Sequence, residues 1–418
     1  IRALFGLAPN WHLEVRHVGG VIVVMTLVLY PYVYMLSRLA FMGQGQSTFE
    51  AARGLGLTPW QAFWRVSLPL ARPAIIAGLS LALMETLADF GTVSIFNYDT
   101  FTTAIYKSWF GFFDLQSAAQ LASLLLGMVL IALSVERHFR ARSRIVEGAR
   151  CGVRRRLQLT GWRAALATAG CLTVVLLAFA LPFGQLVLWA LGSLEYLDAR
   201  YWDLLWHTLL LGAAAALATV GGAFVMGYAN KHFASRWTRW SVQIGTLGYA
   251  LPGSVLAVGV MLSLTWLDHR LADGWLWLTG SEPGLLLSGI LLGLLLAYFA
   301  RFLAVAHGPV DSALQKIRPD ILEAARSLGA TPLAVARRGY LPMLRPGLLT
   351  AGLLVMVDVM KEMPATLLLR PFGWDTLAVR IYELTSEGEW ERAALPAISL
   401  VLAGLVPVIL LVRRSQRL

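Results

Sequence analysis

Five ionisable residues interrupt stretches of sequence that are otherwise apolar enough to cross a membrane. They are Glu85, Asp89, Asp358, Lys361 and Glu362. The carboxylates fall into two pairs with a spacing of four residues, which would put both members of a pair on one face of a helix. A charge near the centre of a bilayer costs about 2.5–3.5 kcal/mol or more, so such residues usually face a pore or a charged partner.

Two interpretations of these residues stay open. Carboxylate oxygens suit hard cations, so the pattern predicts a cation pathway between two equivalent helices. The alternative is that the carboxylates pair with Lys361, with helix dipoles or with backbone groups and only hold helices together. The His residues are scattered without the spacing of metal ligands, and the sequence leaves metal binding unassigned.

The composition of the chain excludes most classes of soluble protein. Of 418 residues, 57% are hydrophobic and only 14% are charged, whereas soluble domains carry roughly 25% charged residues. The formal net charge of +11 on so apolar a chain points to basic loops that flank membrane helices rather than to nucleic-acid binding. We therefore expect a membrane protein with no nucleic-acid partner.

Nine apolar runs are long enough to cross a bilayer, which requires about 20 residues per helix. Their Leu-, Ala- and Val-rich sequences and short connections predict an all-α, polytopic membrane helical bundle. The runs lie near 20–42, 72–97, 116–135, 164–191, 207–229, 241–267, 285–306, 346–369 and 394–412.

The distribution of basic residues predicts the orientation of the chain. Most of the 35 Lys and Arg residues fall on one side of the membrane, the side on which the loop after the first run lies. Arg301 is counted on that side. Cytoplasmic loops carry such an excess. This loop and the C-terminus are therefore predicted to face the cytoplasm of a bacterial inner membrane.

A ten-residue segment occurs twice in the chain, which indicates an internal duplication. Residues 50–59 recur as residues 323–332, 273 positions later, and the same offset aligns Leu68-Pro69 with Leu341-Pro342. The offset also places Glu85 on Asp358 and Asp89 on Glu362. We therefore predict two tandem pseudo-symmetric modules, 1–135 and 164–418, joined by a basic cytoplasmic linker, 136–163. The first module is expected to lack about three helices that the second has.

Each copy of the repeated segment predicts a short helix–turn–helix on the inner face of the membrane. Gly56 and Gly329 would end the first helix. Thr58-Pro59 and Thr331-Pro332 would begin the second, with Thr at the cap and Pro in the first turn. The Leu-Pro pairs would end it. An amphipathic segment that binds only lipid is the alternative, and the matched recurrence favours a docking surface for another protein.

The repeated segment resembles the signature of the membrane subunits of binding-protein-dependent ATP-binding-cassette (ABC) importers. The resemblance rests on Glu-Ala-Ala, on a Gly six positions after the Glu, and on Leu-Pro. It implies that each segment docks into a cleft of a cytoplasmic ATPase. The family often has Ile two residues before the Leu of this Leu-Pro pair, and this chain has Val66 and Gly339 at those positions. The implied docking residues are Glu50, Ala51, Ala52 and Gly56, and Glu323, Ala324, Ala325 and Gly329.

The same resemblance implies the partners of the chain. These are two copies of an ABC ATPase below the two segments, an external substrate-binding protein, and the lipid bilayer. The chain has no G-x-x-x-x-G-K-[ST] loop for phosphates, and none of its four lysines follows a glycine. We therefore expect that it binds no cofactor and is not an enzyme, and that a partner hydrolyses the ATP.

The substrate is suggested by a second resemblance. Residues 361–378, together with residues 88–91 and 250–254, are similar to the corresponding stretches of fused ferric-iron importer permeases. Related permeases for thiamine, polyamines or phosphonates share much of this pattern. Duplicated halves with intramembrane carboxylates are also compatible with an ion-coupled secondary transporter. A membrane-embedded enzyme is disfavoured, because the sequence shows no nucleophile–base arrangement.

Overall fold

Apolar runs that cannot hydrogen-bond to lipid must satisfy their backbone polar groups internally, and a helix does so within one segment. The computed structural model describes residues 16–415 apart from 45, 144–158, 234, 280–286, 288, 318–326, 328, 330, 332 and 333. Every regular element in these residues is helical, and nine of the described helices are long and apolar enough to cross a membrane. The predicted all-α, polytopic class is confirmed.

The helices are labelled in chain order. The first eight are α1 Val18–Gly43, α2 Gln46–Gly54, α3 Pro59–Ala88, α4 Gly91–Ile95, α5 Phe101–Tyr106, α6 Leu115–Ser143, α7 Trp162–Gly192 and α8 Ala199–Phe233. The other seven are α9 Arg236–Gly245, α10 Gly253–Thr279, α11 Leu291–Gln315, α12 Leu341–Met360, α13 Pro364–Leu369, α14 Leu377–Ser386 and α15 Trp390–Ser415.

The described residues group into two compact units. One is drawn from residues 1–104 and 127–184, the other from residues 105–126 and 185–418. In the first unit α1 packs along α3, and in the second α8, α11 and α12 pack against one another around buried Tyr298, Leu344 and Val355. The predicted modules, 1–135 and 164–418, are defined by sequence equivalence rather than by compactness, and they remain a prediction.

The repeat offset of 273 relates helices as well as motifs. Adding it to the bounds of α1 gives 291–316, which matches α11, Leu291–Gln315. Adding it to 68–88 gives 341–361, which matches α12, Leu341–Met360. Helices α1 and α3 are therefore the equivalents of α11 and α12.

The Leu-Pro pairs do not end a helix, and that prediction is wrong. Phe63–Ser67 and Val335–Tyr340 form π-helical turns, and each turn runs directly into the long helix that begins at Leu68 or Leu341. Pro69 and Pro342 directly follow the first residue after these π-turns, and neither has an N–H to donate to the preceding turn. In the π-turn before Pro69, the Leu68 N–H bonds instead to the Phe63 carbonyl.

Three of the predicted apolar runs are misplaced, because hydropathy does not detect a change of direction between two apolar helices. The runs predicted at 72–97 and 346–369 are each divided, since α3 ends at Ala88 and α12 ends at Met360. The run predicted at 241–267 is also divided, into α9 and α10, by the turn before Pro252.

Candidate functional site

Arg301 and Glu362 form a buried ion pair in the second unit. Arg301 lies within α11, and Glu362 lies in the turn between α12 and α13. The distance from Arg301 Nε to Glu362 Oε2 is 3.3 Å, and the two side chains are 14% and 7% exposed. Removing two charges from water is costly unless each is closely paired and hydrogen-bonded.

Each member of this ion pair also makes a hydrogen bond with a backbone group. Glu362 Oε1 accepts a hydrogen bond of 3.2 Å from the Ala365 N–H at the start of α13. Arg301 Nη1 donates one of 3.0 Å to the Leu251 carbonyl. A Cβ atom added at Gly253, the first residue of α10, would overlap Glu362 Oε1 and lie 2.8 Å from Arg301 Nη1. The ion pair therefore joins α11, α13 and the start of α10, and it needs glycine at residue 253.

A further polar contact extends this cluster. The hydroxyls of Tyr298 in α11 and Thr366 in α13 are 2.6 Å apart, and Thr366 Oγ1 donates to the Glu362 carbonyl. Tyr298 and Thr366 are fully buried. The segment that connects α12 to α13 is thus held to α11 by the ion pair of Glu362 and by the hydrogen bond of Thr366.

Asp358 and Lys361 form a second, more exposed ion pair at the end of α12. Lys361 Nζ is 2.8 Å from Asp358 Oδ1, and the Lys361 side chain is 64% exposed. Exposed pairs of this kind contribute only about 0–1 kcal/mol to stability in water. The distance between Lys361 and Asp358 confirms, for Asp358, the interpretation of Lys361 as a partner of the carboxylates.

Asp89 in the first unit occupies the position equivalent to Glu362. It follows the last residue of α3, and its Oδ2 atom accepts a hydrogen bond of 3.2 Å from the Val93 N–H in α4. Its Oδ1 atom accepts one of 3.2 Å from Thr92 Oγ1. Burial raises the pKa of the Asp89 carboxyl, and these hydrogen bonds offset part of that effect. Both acids of the repeat thus cap the short helix that follows them.

The prediction that each carboxylate pair shares one helix face is wrong. Glu85 and Asp358 lie in the last turns of α3 and α12, but Asp89 and Glu362 lie beyond the ends of those helices. Pro364 lies in the first turn of the next helix, α13, where its missing N–H costs no helical hydrogen bond. Asp89 begins a turn by capping α4.

The sequence interpretation missed the part that Arg301 plays. The sequence interpretation counted Arg301 among the cytoplasmic basic residues, and the structure places it within α11, a helix long and apolar enough to cross a membrane. A charged residue within the apolar run predicted at 285–306 was the available signal, since such a residue calls for a partner. At the repeat offset, Arg301 and Lys361 correspond to Val28 and Ala88, so the first copy does not supply the same cations.

The first Glu-Ala-Ala segment has the predicted helix–turn–helix form. Helix α2 ends at Gly54, and Gly56 has a φ of +87°, a left-handed conformation that favours glycine. Thr58 Oγ1 accepts a hydrogen bond of 3.3 Å from the Gln61 N–H, and the Gln61 side chain accepts one of 3.1 Å from the Thr58 N–H. This reciprocal capping box starts α3, and the predicted cap at Thr58 is confirmed.

One face of this segment presents apolar side chains. Glu50, Ala51 and Gly56 are exposed, whereas Ala52 is only 5% exposed and packs inwards. Leu55, Trp60 and Trp64 are exposed, although their side chains are apolar. Clustered exposed apolar residues mark protein or membrane contact surfaces.

The second segment is described only in part. Glu323, Ala324 and Ala325 lie outside the described residues. Gly329 has a φ of +78°, and Thr331 Oγ1 accepts a hydrogen bond of 3.3 Å from the Ala334 N–H. The turn after the second segment therefore repeats the geometry of Gly56 and Thr58.

A cavity of about 630 Å³ lies within the second unit. Arg200, Asp203 and His207 line it from α8, and Arg370 and Asp375 line it from the loop between α13 and α14. Arg370 is paired with Asp375 and, at 2.9 Å, with Glu383. The loop is thereby held in a fixed shape.

Two tyrosines complete the surroundings of this cavity. Tyr106 lines it, and the Tyr106 ring meets that of Tyr382 edge to face, with a centroid separation of 6.2 Å. Burial raises the pKa of Tyr382 to about 12 and raises that of Tyr106 as well. Both phenols are therefore neutral at physiological pH. Among the described residues, no group of three or more His, Cys, Asp or Glu side chains is arranged to hold a metal ion.

Comparison with known proteins identifies what the chain is similar to. The family described as "Binding-protein-dependent transport system inner membrane component" matches residues 14–144 and 221–418. The Fe(3+)-transport system permease protein FbpB 2 of Haemophilus influenzae is 28% identical over 398 residues, which cover 94% of this chain and 76% of that protein. A putative 2-aminoethylphosphonate transport system permease protein of Salmonella typhimurium is 29% identical over 222 residues, which cover 53% of this chain and 78% of that protein.

Neutralising Glu362 tests the buried ion pair. We expect Glu362→Gln to destabilise the protein by about 3–5 kcal/mol, because it leaves the Arg301 charge buried without its counter-charge. The double variant Arg301→Met/Glu362→Met should recover most of that loss. Thermal unfolding of the purified protein in detergent measures both effects, and a double variant no more stable than Glu362→Gln would show that the loss does not come from an unpaired Arg301 charge.

Replacing Asp89 tests the cost of its burial. Because the pKa of Asp89 is raised on folding, its contribution to stability is largest at low pH and is lost as the pH rises through the folded-state pKa. Asn keeps an oxygen acceptor for the Val93 N–H. We expect Asp89→Asn to raise the unfolding midpoint at neutral pH and to have little effect in acid.

Asp114 provides a control for this experiment, because its pKa is shifted in the opposite direction from that of Asp89. Hydrogen bonds from Ser117 lower the pKa of the Asp114 carboxyl, so its contribution is present at neutral pH and lost as the pH falls. Asp114→Asn should therefore not stabilise the protein at neutral pH. A lower unfolding midpoint for Asp89→Asn at neutral pH would contradict this expectation, because it would mean that the charged Asp89 side chain stabilises the folded protein.

Proposed function

The chain belongs to the family of binding-protein-dependent transport system inner membrane components, the permeases of ABC importers, and on that premise we propose that it imports ferric iron. An external binding protein delivers the substrate, and a separate cytoplasmic ATPase hydrolyses the ATP that drives transport. The choice of ferric iron as the substrate rests on the similarity to a ferric-iron permease along 94% of the chain.

A phosphonate is the second candidate substrate. The relative named for 2-aminoethylphosphonate transport has nearly the same identity, but it matches only about half of the chain. Thiamine and polyamines remain alternatives on the sequence pattern alone. Membership of the family favours an ATPase-driven importer over an ion-coupled secondary transporter.

We propose that the two Glu-Ala-Ala segments each dock one copy of the ATPase. The docking residues are Glu50, Ala51, Ala52 and Gly56 in the first segment, and Glu323, Ala324, Ala325 and Gly329 in the second. The exposed apolar side chains of Leu55, Trp60 and Trp64 support the first site. The turn shared by Gly56 and Gly329 supports the equivalence of the two sites.

The proposed orientation places both segments and the C-terminus in the cytoplasm, and the cavity beside Arg370 on the outer side. The excess of basic residues on one side of the predicted runs supports this orientation. The proposed organisation is two modules, 1–135 and 164–418, joined by the linker 136–163. The two separate stretches that match the family, 14–144 and 221–418, support a duplicated chain.

The five ionisable residues singled out in the sequence divide into two roles under this proposal. Glu85, Asp358 and Lys361 border the translocation pathway, because they lie at the ends of equivalent helices and Lys361 is largely exposed. Asp89 holds the structure of the first unit, because both of its carboxylate oxygens accept hydrogen bonds from α4. Glu362 holds the structure of the second unit, because Arg301 and the Ala365 N–H occupy its carboxylate.

A charge introduced into the first segment tests ATPase docking. We expect Ala51→Arg to abolish co-purification of the ATPase, since the residue is exposed on the docking segment and a buried unpaired charge opposes association. Gln116→Arg is the control, because it adds the same charge at an exposed residue on the proposed outer side. Retention of the ATPase by Ala51→Arg would contradict docking at this segment.

Accumulation assays test the substrate. Cells that express the chain with its binding protein and ATPase should accumulate radiolabelled ferric iron, and cells that lack only this chain should not. Labelled 2-aminoethylphosphonate is measured in parallel. If accumulation of the phosphonate, but not of iron, depended on the chain, the iron proposal would be wrong while the permease assignment would stand.

A further inference from the structure

The last turn of α8 contacts the chain on both sides of the second Glu-Ala-Ala segment. Before the segment, Lys231 Nζ donates hydrogen bonds to the carbonyls of Leu314 and Ile317, at 2.5 and 2.9 Å. After the segment, His232 Nε2 is 3.0 Å from the hydroxyl of buried Tyr340. Two adjacent side chains of α8 thus hold both flanks of the segment.

Aromatic contacts reinforce this arrangement. The Lys231 ammonium lies 5.7 Å from the centroid of the Tyr340 ring, a distance at which a cation is attracted to an aromatic face. Tyr228, one turn earlier in α8, contacts the rings of both His232 and Tyr340, at centroid distances of 4.3 and 5.4 Å. The flank that follows the segment is therefore packed as well as hydrogen-bonded.

The first unit connects the same two positions in a different way. Gln44 Nε2 donates a hydrogen bond of 2.8 Å to the Ser67 carbonyl. At the repeat offset, Gln44 corresponds to Ile317 and Ser67 to Tyr340. The flanks of the first segment are therefore joined directly, whereas those of the second are joined through α8.

The opposite end of α8 belongs to the cavity of the second unit. Arg200, Asp203 and His207 line that cavity, and Thr208 Oγ1 accepts a hydrogen bond of 2.9 Å from the Leu377 N–H at the start of α14. The helix contains 35 residues, which gives a length of about 50 Å at 1.5 Å per residue. One continuous helix thus runs from the flanks of the docking segment to the cavity.

We propose that Lys231 and His232 are positioning residues that fix the second Glu-Ala-Ala segment to α8, so that displacement of the segment by the ATPase moves the wall of the cavity at the far end of this helix. The inference rests on the proposed function, because it requires an ATPase at the segment. It assigns to the second unit a route for the ATPase cycle that passes through α8.

The experiment compares Lys231→Met and His232→Phe with Arg236→Met in the complete complex. Arg236 is an exposed basic residue close to Lys231 in the chain. ATPase co-purification, basal ATP hydrolysis and hydrolysis stimulated by the substrate-loaded binding protein are measured for each variant. We expect Lys231→Met and His232→Phe to keep the ATPase and its basal rate while losing about fivefold or more of the stimulation, the scale of a coupling free energy between sites.

Two further variants separate positioning from a general loss of structure. Lys231→Arg should restore most of the stimulation, because a guanidinium can also donate to two carbonyls. Gln44→Leu removes the hydrogen bond to the Ser67 carbonyl in the first unit and leaves the Lys231 and His232 contacts intact, so it should reduce stimulation less than Lys231→Met.

The outcomes distinguish failure of this inference from failure of the proposed function. Unchanged stimulation in both Lys231→Met and His232→Phe overturns the inference alone, as does a loss of stimulation that only matches a loss of bound ATPase. If the unaltered chain neither retains an ATPase nor stimulates one, the proposed function fails and the inference fails with it.

Discussion

The ion pair between Arg301 and Glu362 is the interaction on which the second unit depends. A membrane-spanning helix cannot keep an arginine unless a partner balances its charge, and here the partner lies on a different element. Glu362 meets that need and also caps α13 through the Ala365 N–H, while Arg301 binds the Leu251 carbonyl just before α10. One charge balance thereby joins the middle of α11 to the starts of α10 and α13, and α13 leads from this point to the loop that lines the cavity.

The two copies of the repeat use equivalent positions with different chemistry. Asp89 and Glu362 both cap the helix that follows, but only Glu362 has an arginine partner at the repeat-related position, where the first copy has Val28. The flanks of the docking segments differ in the same way, with Gln44 and Ser67 joined directly and the second pair joined through Lys231 and His232. The backbone plan is therefore shared at these positions, while the side chains that make the contacts differ between the two copies.

Much of this architecture follows from local sequence rules, and the failures have physical causes. Apolar run length predicted nine spans, and Gly56 and Thr58 predicted the turn and cap that the structure shows. The ends of α3 and α12 were missed because apolar residues continue past Ala88 and Met360, so hydropathy does not change where the chain turns. The partner of Arg301 was missed because Glu362 is distant in sequence, and only the fold brings them together. The Glu-Ala-Ala docking residues remain a prediction, since the sequence identifies them by resemblance.

The energy source of transport tests the central claim most directly. The permease, its ATPase and its binding protein are reconstituted in proteoliposomes with the ATPase side facing outwards and the loaded binding protein enclosed. The account predicts that labelled ferric iron leaves the lumen only when ATP is present outside, and that a proton or sodium gradient without ATP has no effect. Transport driven by an ion gradient in the absence of the ATPase would contradict the account.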